Sequence, residues 1–130
     1  MLLLTIRTDK PEAELGLFDS DTKLAYFTWP AHRRLAETIH KKIQELLESQ
    51  GRELIDVQGL VAFQGPGSFT GLRIGLSVAN ALAYGLHIPI AASSGRNWIK
   101  GGVSRINKHN DDQLVLPKYG APPHITKPKR

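Results

Sequence analysis

The sequence predicts an α/β fold: a mixed sheet with helices against it, in β-β-β-α-β-α-β order, followed by an extended basic C-terminal tail. Three observations predict it. Short apolar runs of strand length crowd the first 30 residues, two stretches of helical periodicity follow, and a short buried strand comes after each helix. Consecutive β-α-β units imply parallel neighbours joined by right-handed crossovers.

The elements follow in order. Leu2–Arg7 is mostly apolar and reads as the first strand, Glu14–Phe18 as the second, and Lys23–Thr28, which alternates, as the third. Lys10-Pro11-Glu12 separates the first two, and the turn formers Asp19-Ser20-Asp21-Thr22 predict an antiparallel hairpin between the next two. After Pro30 the period becomes helical. Leu35, Ile39, Ile43, Leu46 and Leu47 share a face, Arg33, Arg34, Lys41, Lys42, Glu45 and Glu48 lie largely elsewhere, and Gly51 supplies a stop. Leu60–Phe63 is then a short buried strand, residues 70–86 form a second helix, and Ile88–Ala92 is the last strand.

The second helix carries no charge from Ile74 to Leu86. A helix that is apolar all round is buried all round, yet a sheet covers one face. Gly71, Gly75, Ala79 and Ala83 recur every four residues and make a smooth stripe for close helix approach. Two coverings are open: the first helix of the same domain, or a partner, since large exposed apolar patches on soluble proteins mark interaction sites. The uncharged stretch is too short to span a bilayer.

The chain has 130 residues, enough for one domain with its own core, and no cysteine, which excludes disulfides, thiolate metal sites and a cysteine nucleophile. Met1–Ile6 is too short for a signal peptide or a span, so a soluble cytoplasmic protein is expected. The net charge of +5 is unevenly placed. Residues 1–95 hold nine basic and ten acidic side chains, whereas residues 96–130 hold eight basic and two acidic. Four of the eight prolines stand at 117, 122, 123 and 128, denying that segment a helix or central strand. The expected organisation is a folded unit over 1–95, a connector over 96–116 and an extended tail over 117–130. The tail's Lys118, Lys127, Lys129 and Arg130, with Tyr119, have three readings: solvated charges, contacts to a nucleic-acid phosphate backbone, or contacts to an acidic groove on a partner.

The loop Gln64-Gly65-Pro66-Gly67-Ser68-Phe69-Thr70-Gly71-Leu72-Arg73 joins a strand to a helix N-terminus, where free backbone N–H groups and a partial positive charge favour anions. Gly65, Gly67, Ser68 and Thr70 are therefore candidate phosphate contacts. The loop lacks the lysine of a Walker loop and the spacing of a dinucleotide fingerprint, so a tight structural turn capped by Ser68 or Thr70 stands beside that reading. Phe69 is either a core plug or an exposed contact. Arg73 is either a surface charge or a reach to a carboxylate or phosphate across an interface. His32 and His40 lie about 12 Å apart along a helix, too far for one ion, and Gly-Pro-Gly-Ser-Phe is not a nucleophile elbow. No catalytic residue and no metal ligand is assigned.

The string Gly65-Pro66-Gly67-Ser68-Phe69-Thr70-Gly71-Leu72-Arg73-Ile74-Gly75, with Ala83, the exit Gly85-Leu86-His87-Ile88-Pro89 and the run 90–94, closely resembles the signature of the TsaB (YeaZ) family. The resemblance covers about residues 1–95. It implies one ribonuclease-H-like lobe of the actin/Hsp70 superfold and a role in making threonylcarbamoyladenosine in tRNAs that read ANN codons. It further implies a non-catalytic scaffold that pairs, through the helices of this lobe, with a TsaD-type transferase, joined by a TsaE-type ATPase. Leu35, Ile39, Phe69, Gly71, Leu72, Arg73, Gly75, Leu76, Ala79 and Ala83 are the expected interface, which a homodimer would share. ATP or ADP is expected only in complex with partners, and tRNA contact is expected to be indirect.

Two departures stand out. Most of the second lobe of full-length members is missing, while Leu116-Pro117-Lys118-Tyr119 looks like their terminal stretch, so an internal shortening is expected. The usual Asp-Thr-Ser of the first strand is Arg7-Thr8-Asp9, and the helix 1 histidine is Leu35, which weakens any inherited nucleotide or catalytic site. The competing functions are a nucleotide-binding enzyme working through the 65–73 loop and a tRNA-binding accessory protein working through the tail.

Overall fold

The computed structural model describes residues 1–67 and 69–117, and of Phe69 the backbone only. Five strands form one sheet in the order β3-β2-β1-β4-β5. β1 (Leu2–Arg7), β2 (Glu12–Asp19) and β3 (Thr22–Pro30) make an antiparallel meander, while β4 (Gly59–Phe63) and β5 (Ile90–Ser93) extend β1 in parallel. α1 (Leu35–Glu48) links the meander to β4, and α2 (Phe69–Leu86) links β4 to β5. The expected β-β-β-α-β-α-β order and mixed α/β sheet are those observed.

β1 is central, and its Leu2-Leu3-Leu4 run is buried on both faces. Leu2, Leu4 and Ile6 join Ala13, Leu15 and Leu17 of β2 and Leu60 and Ala62 of β4 beneath α1 and α2. All five predicted α1 core positions, Leu35, Ile39, Ile43, Leu46 and Leu47, are buried in this layer. The helix stops where foreseen: Gly51 takes a φ of +64° and the Arg52 amide donates to Leu47 O, satisfying a terminal carbonyl.

The expected connector over 96–116 is a finding of a different kind. Trp98–Asn107 forms a third helix, α3, on the opposite face of the sheet. Trp98, Val103 and Ile106 are buried against Leu3, Phe18, Val61 and Phe63. Trp98 meets Phe63 edge-on, with ring centroids 5.7 Å apart. Gly102 brings the helix down: a Cβ there would come within 2.2 Å of Val61 Cγ1. The folded unit therefore extends past residue 95, because one sheet face would otherwise stand bare. Beyond α3 the chain runs back along the outer edge of β5, and Gln64 Nε2 donates to Leu116 O at 2.9 Å.

Candidate functional site

Two features gather the residues singled out in the sequence: the loop between β4 and α2, and the outer surface shared by α1 and α2.

The loop closes over the end of β1. Gly67 lies so near Asp9 that a Cβ on it would come within 2.3 Å of Asp9 Cβ. Asp9 is buried and takes both hydrogen bonds of an Arg7 fork, from Nε at 2.7 Å and from Nη2 at 3.2 Å. The Arg7 guanidinium also lies 3.9 Å from the centroid of the Phe63 ring. Its hydrogen bond to Asp9 raises its pKa against the opposing effect of burial. Arg7, beside the loop, is thus committed to an internal carboxylate. Thr8 completes the clamp, its hydroxyl donating to Gly71 O at 2.8 Å. Glu14 and Tyr26 hydrogen-bond beside this group, and burial, helped by that bond, holds the Tyr26 phenol above its ordinary pKa. Of the candidate phosphate contacts, Gly65 is buried, Gly67 is half-buried and Thr70 is exposed, whereas Ser68 lies outside the described residues.

The stripe of small residues on α2 faces the sheet. A Cβ on Gly75 would come within 1.9 Å of Thr8 Oγ1, and Ala79 and Ala83 are buried in the core beside Leu76. The expectation that Leu35, Ile39, Leu72, Gly75, Leu76, Ala79 and Ala83 form a partner interface is corrected: all are interior to this lobe. The physical reason is that the small residues allow α2 to press onto β1, so the close approach is helix to strand. Gly71 is half-buried and Arg73 exposed. The Phe69 side chain and the tail positions Lys118, Tyr119, Lys127, Lys129 and Arg130 lie outside the described residues.

α2 turns Thr70, Arg73, Ser77, Ala81 and Tyr84 outward. Ile74, Val78 and Leu82, spaced four apart, are half-buried and border a groove between the two helices. Ala36 and His40 of α1, with Arg73 and Ser77 of α2, line its middle. His32 and Arg33 stand at one end, and Leu54 and Arg52 at the other. Tyr84 projects nearby, 83% exposed. The sequence reading missed Ile74, Val78, Leu82, His40 and Tyr84. A signal for the first three existed: they are the large apolar residues that immediately precede Gly75, Ala79 and Ala83.

Among the described residues, no group of three or more His, Asp or Glu side chains converges to hold a metal, and no helix is long and apolar enough to cross a membrane.

A family model for TsaD, tRNA N6-adenosine threonylcarbamoyltransferase, matches residues 30–94, half of the chain. The Bacillus subtilis tRNA threonylcarbamoyladenosine biosynthesis protein TsaB is 39% identical over 62 residues, covering 48% of this chain and 25% of the relative. YeaZ from Pseudomonas aeruginosa superimposes with a TM-score of 0.66 at 29% identity, over 72% of this chain and 43% of that one. Thermus thermophilus RuvC superimposes with a TM-score of 0.52 at 12% identity, over 95% of this chain and 85% of that one, a likeness of fold alone. The chain therefore spans about a quarter of the curated relative and under half of the YeaZ structure. The ribonuclease-H-like lobe implied by the sequence is the fold these neighbours share.

Proposed function

The chain belongs to the family of the threonylcarbamoyltransferase model, as a member of TsaB/YeaZ type, and from this we propose that it serves tRNA threonylcarbamoyladenosine biosynthesis as a docking subunit. Its role is non-catalytic. It presents the α1/α2 groove to a TsaD-type transferase, and a TsaE-type ATPase joins that pair. One observation carries the reading: Ile74, Val78 and Leu82 form an uncharged, partly exposed stripe at the edge of the core, bordering the groove between α1 and α2. An apolar stripe with a polar rim of His40, Arg73 and Ser77 has the anatomy of a protein interface.

Nucleotide belongs, in this reading, to the assembled complex. The loop backs onto the Arg7–Asp9 ion pair, whose charges compensate each other and so offer a phosphate on the lobe alone no net attraction.

The test is co-expression with a TsaD-type transferase, followed by size exclusion and a tRNA modification assay. Val78→Arg places a charge in the stripe and is expected to weaken association about a hundredfold, the size of a central interface residue's loss. Its melting temperature should stay near that of the unaltered chain, since Val78 is already half-exposed. Co-purification at full strength would sink the proposal. Loss of self-association instead, with no transferase bound by either chain, would assign the groove to a homodimer.

A further inference from the structure

β5 is an edge strand, and the unpaired amides and carbonyls of an exposed edge invite pairing with another chain. Its inner hydrogen-bonding groups face β4: Leu60 N donates to Pro89 O at 2.9 Å and Gln64 N to Ser93 O at 2.8 Å. Ile90 and Ala92 consequently turn their amides and carbonyls outward. All four of those outward groups are occupied, and no strand occupies them. Ile90 N donates to Asp111 Oδ1 at 3.0 Å, and Ala92 N donates to Asp112 Oδ2 at 2.7 Å. Ile90 O accepts from the Asp112 amide at 2.8 Å, and Ala92 O accepts from Arg105 Nη1 at 2.9 Å.

The substitute strand is itself held at both ends. Arg105 of α3 forks onto the Asp112 carboxylate. At the far end Asn80 of α2 binds Val115 as a backbone would, its Nδ2 donating to Val115 O at 2.8 Å and its Oδ1 accepting from Val115 N at 2.8 Å. Val115 is buried in the core. Apart from its shortness β5 carries no guard of its own: Ile-Ala-Ala-Ser contains no charge and no proline. Identical edges meeting about a two-fold axis are self-complementary, so the strand most ready to add there is another β5.

We infer that residues 110–116 are a latch that closes the outer edge of β5 through two aspartate side chains and thereby blocks antiparallel pairing with the β5 of a second copy of this chain. The carboxylates accept from the edge amides and offer no donor to an incoming strand, so the edge is both satisfied and unreadable while they are in place.

The test compares the intact chain with Asp111→Ala/Asp112→Ala by amide hydrogen exchange and light scattering. At concentrations low enough to keep the variant monomeric, exchange at Ile90 and Ala92 is expected to accelerate at least tenfold while Leu4 and Leu17, deep in the sheet, keep their protection. The variant's mass is expected to rise with concentration to twice that of the unaltered chain. Unchanged exchange at Ile90 and Ala92 overturns the latch, and faster exchange without added mass overturns the block. If Leu4 and Leu17 lose protection as well, Asn80→Ala decides, because it frees Val115 without touching a carboxylate. Faster exchange at Ile90 and Ala92 in that variant supports the latch, and none overturns it.

Discussion

Thr8 and Gly75 show how closely β1 and α2 are fitted. The glycine lets the helix backbone settle on the threonine side chain, whose hydroxyl in turn bonds Gly71 O. A methyl group at Gly75 has nowhere to go, so Gly75→Ala is expected to cost about 1–3 kcal/mol as an overpacked site. Thr8→Ala removes the atom in the way, and in the double variant a large part of that loss should return. Urea unfolding of the four chains of this cycle measures the coupling, and strictly additive losses would show that the two residues do not meet. Thr5 offers the opposite case. Its Oγ1 is buried and makes no hydrogen bond. Thr5→Val keeps the shape and removes the orphan hydroxyl, and the expected gain is about 1 kcal/mol, read as a higher urea midpoint at unchanged slope.

At the scale of elements, α3 decides what counts as the folded unit. It covers Leu3, Val61, Phe63 and Ala91, which face away from α1 and α2. A chain ended at residue 95 would leave that face in water, and it is expected to lose its cooperative unfolding transition. In the whole chain, Trp98→Ala should cost about 3–5 kcal/mol. A sharp transition at the original urea midpoint in the shortened chain would contradict this. The same helix marks where sequence reading stopped. The five strands and the two helices α1 and α2 were legible from short apolar runs bounded by turn residues, from the alternation of β3 and from the helical period of α1. In α3 the buried positions are Trp98, Gly102, Val103 and Ile106, and the paired glycines at 101 and 102 both lower helix propensity and blank out part of the apolar period. In α2 the absence of charge was legible, but its orientation was not. Small residues every four positions suit a helix or a strand neighbour equally, and only Thr8, distant in sequence, settles which. The candidate interface residues changed for that reason, from the buried Gly75 and Ala79 to the partly exposed Ile74 and Val78 beside them.

Over the whole molecule the charge divides at the end of the described residues. Residues 1–117 carry 13 basic and 12 acidic side chains, and the remaining 13 residues carry four basic and no acidic ones. α3 accounts for much of the shift, since Arg105 is neutralised locally by Asp112. The excess positive charge thus belongs to residues 118–130, and tRNA is a polyanion whose affinity would register it through counterion release. Ending the chain at residue 117 keeps Val115 in the core and the Gln64–Leu116 bond, so the melting temperature is expected to hold. Association with the transferase should hold as well, because the α1/α2 groove is intact. The change should appear in tRNA binding by the assembled complex: with four cations removed, the slope of log affinity against log salt should flatten by about 3, at roughly 0.7–0.9 per phosphate contact. An unaltered slope would place these charges away from the nucleic acid and leave the lobe's contribution to the helical groove. A flattened slope with an unchanged melting temperature would show the two halves of the molecule working separately, one by apolar fit and the other by charge.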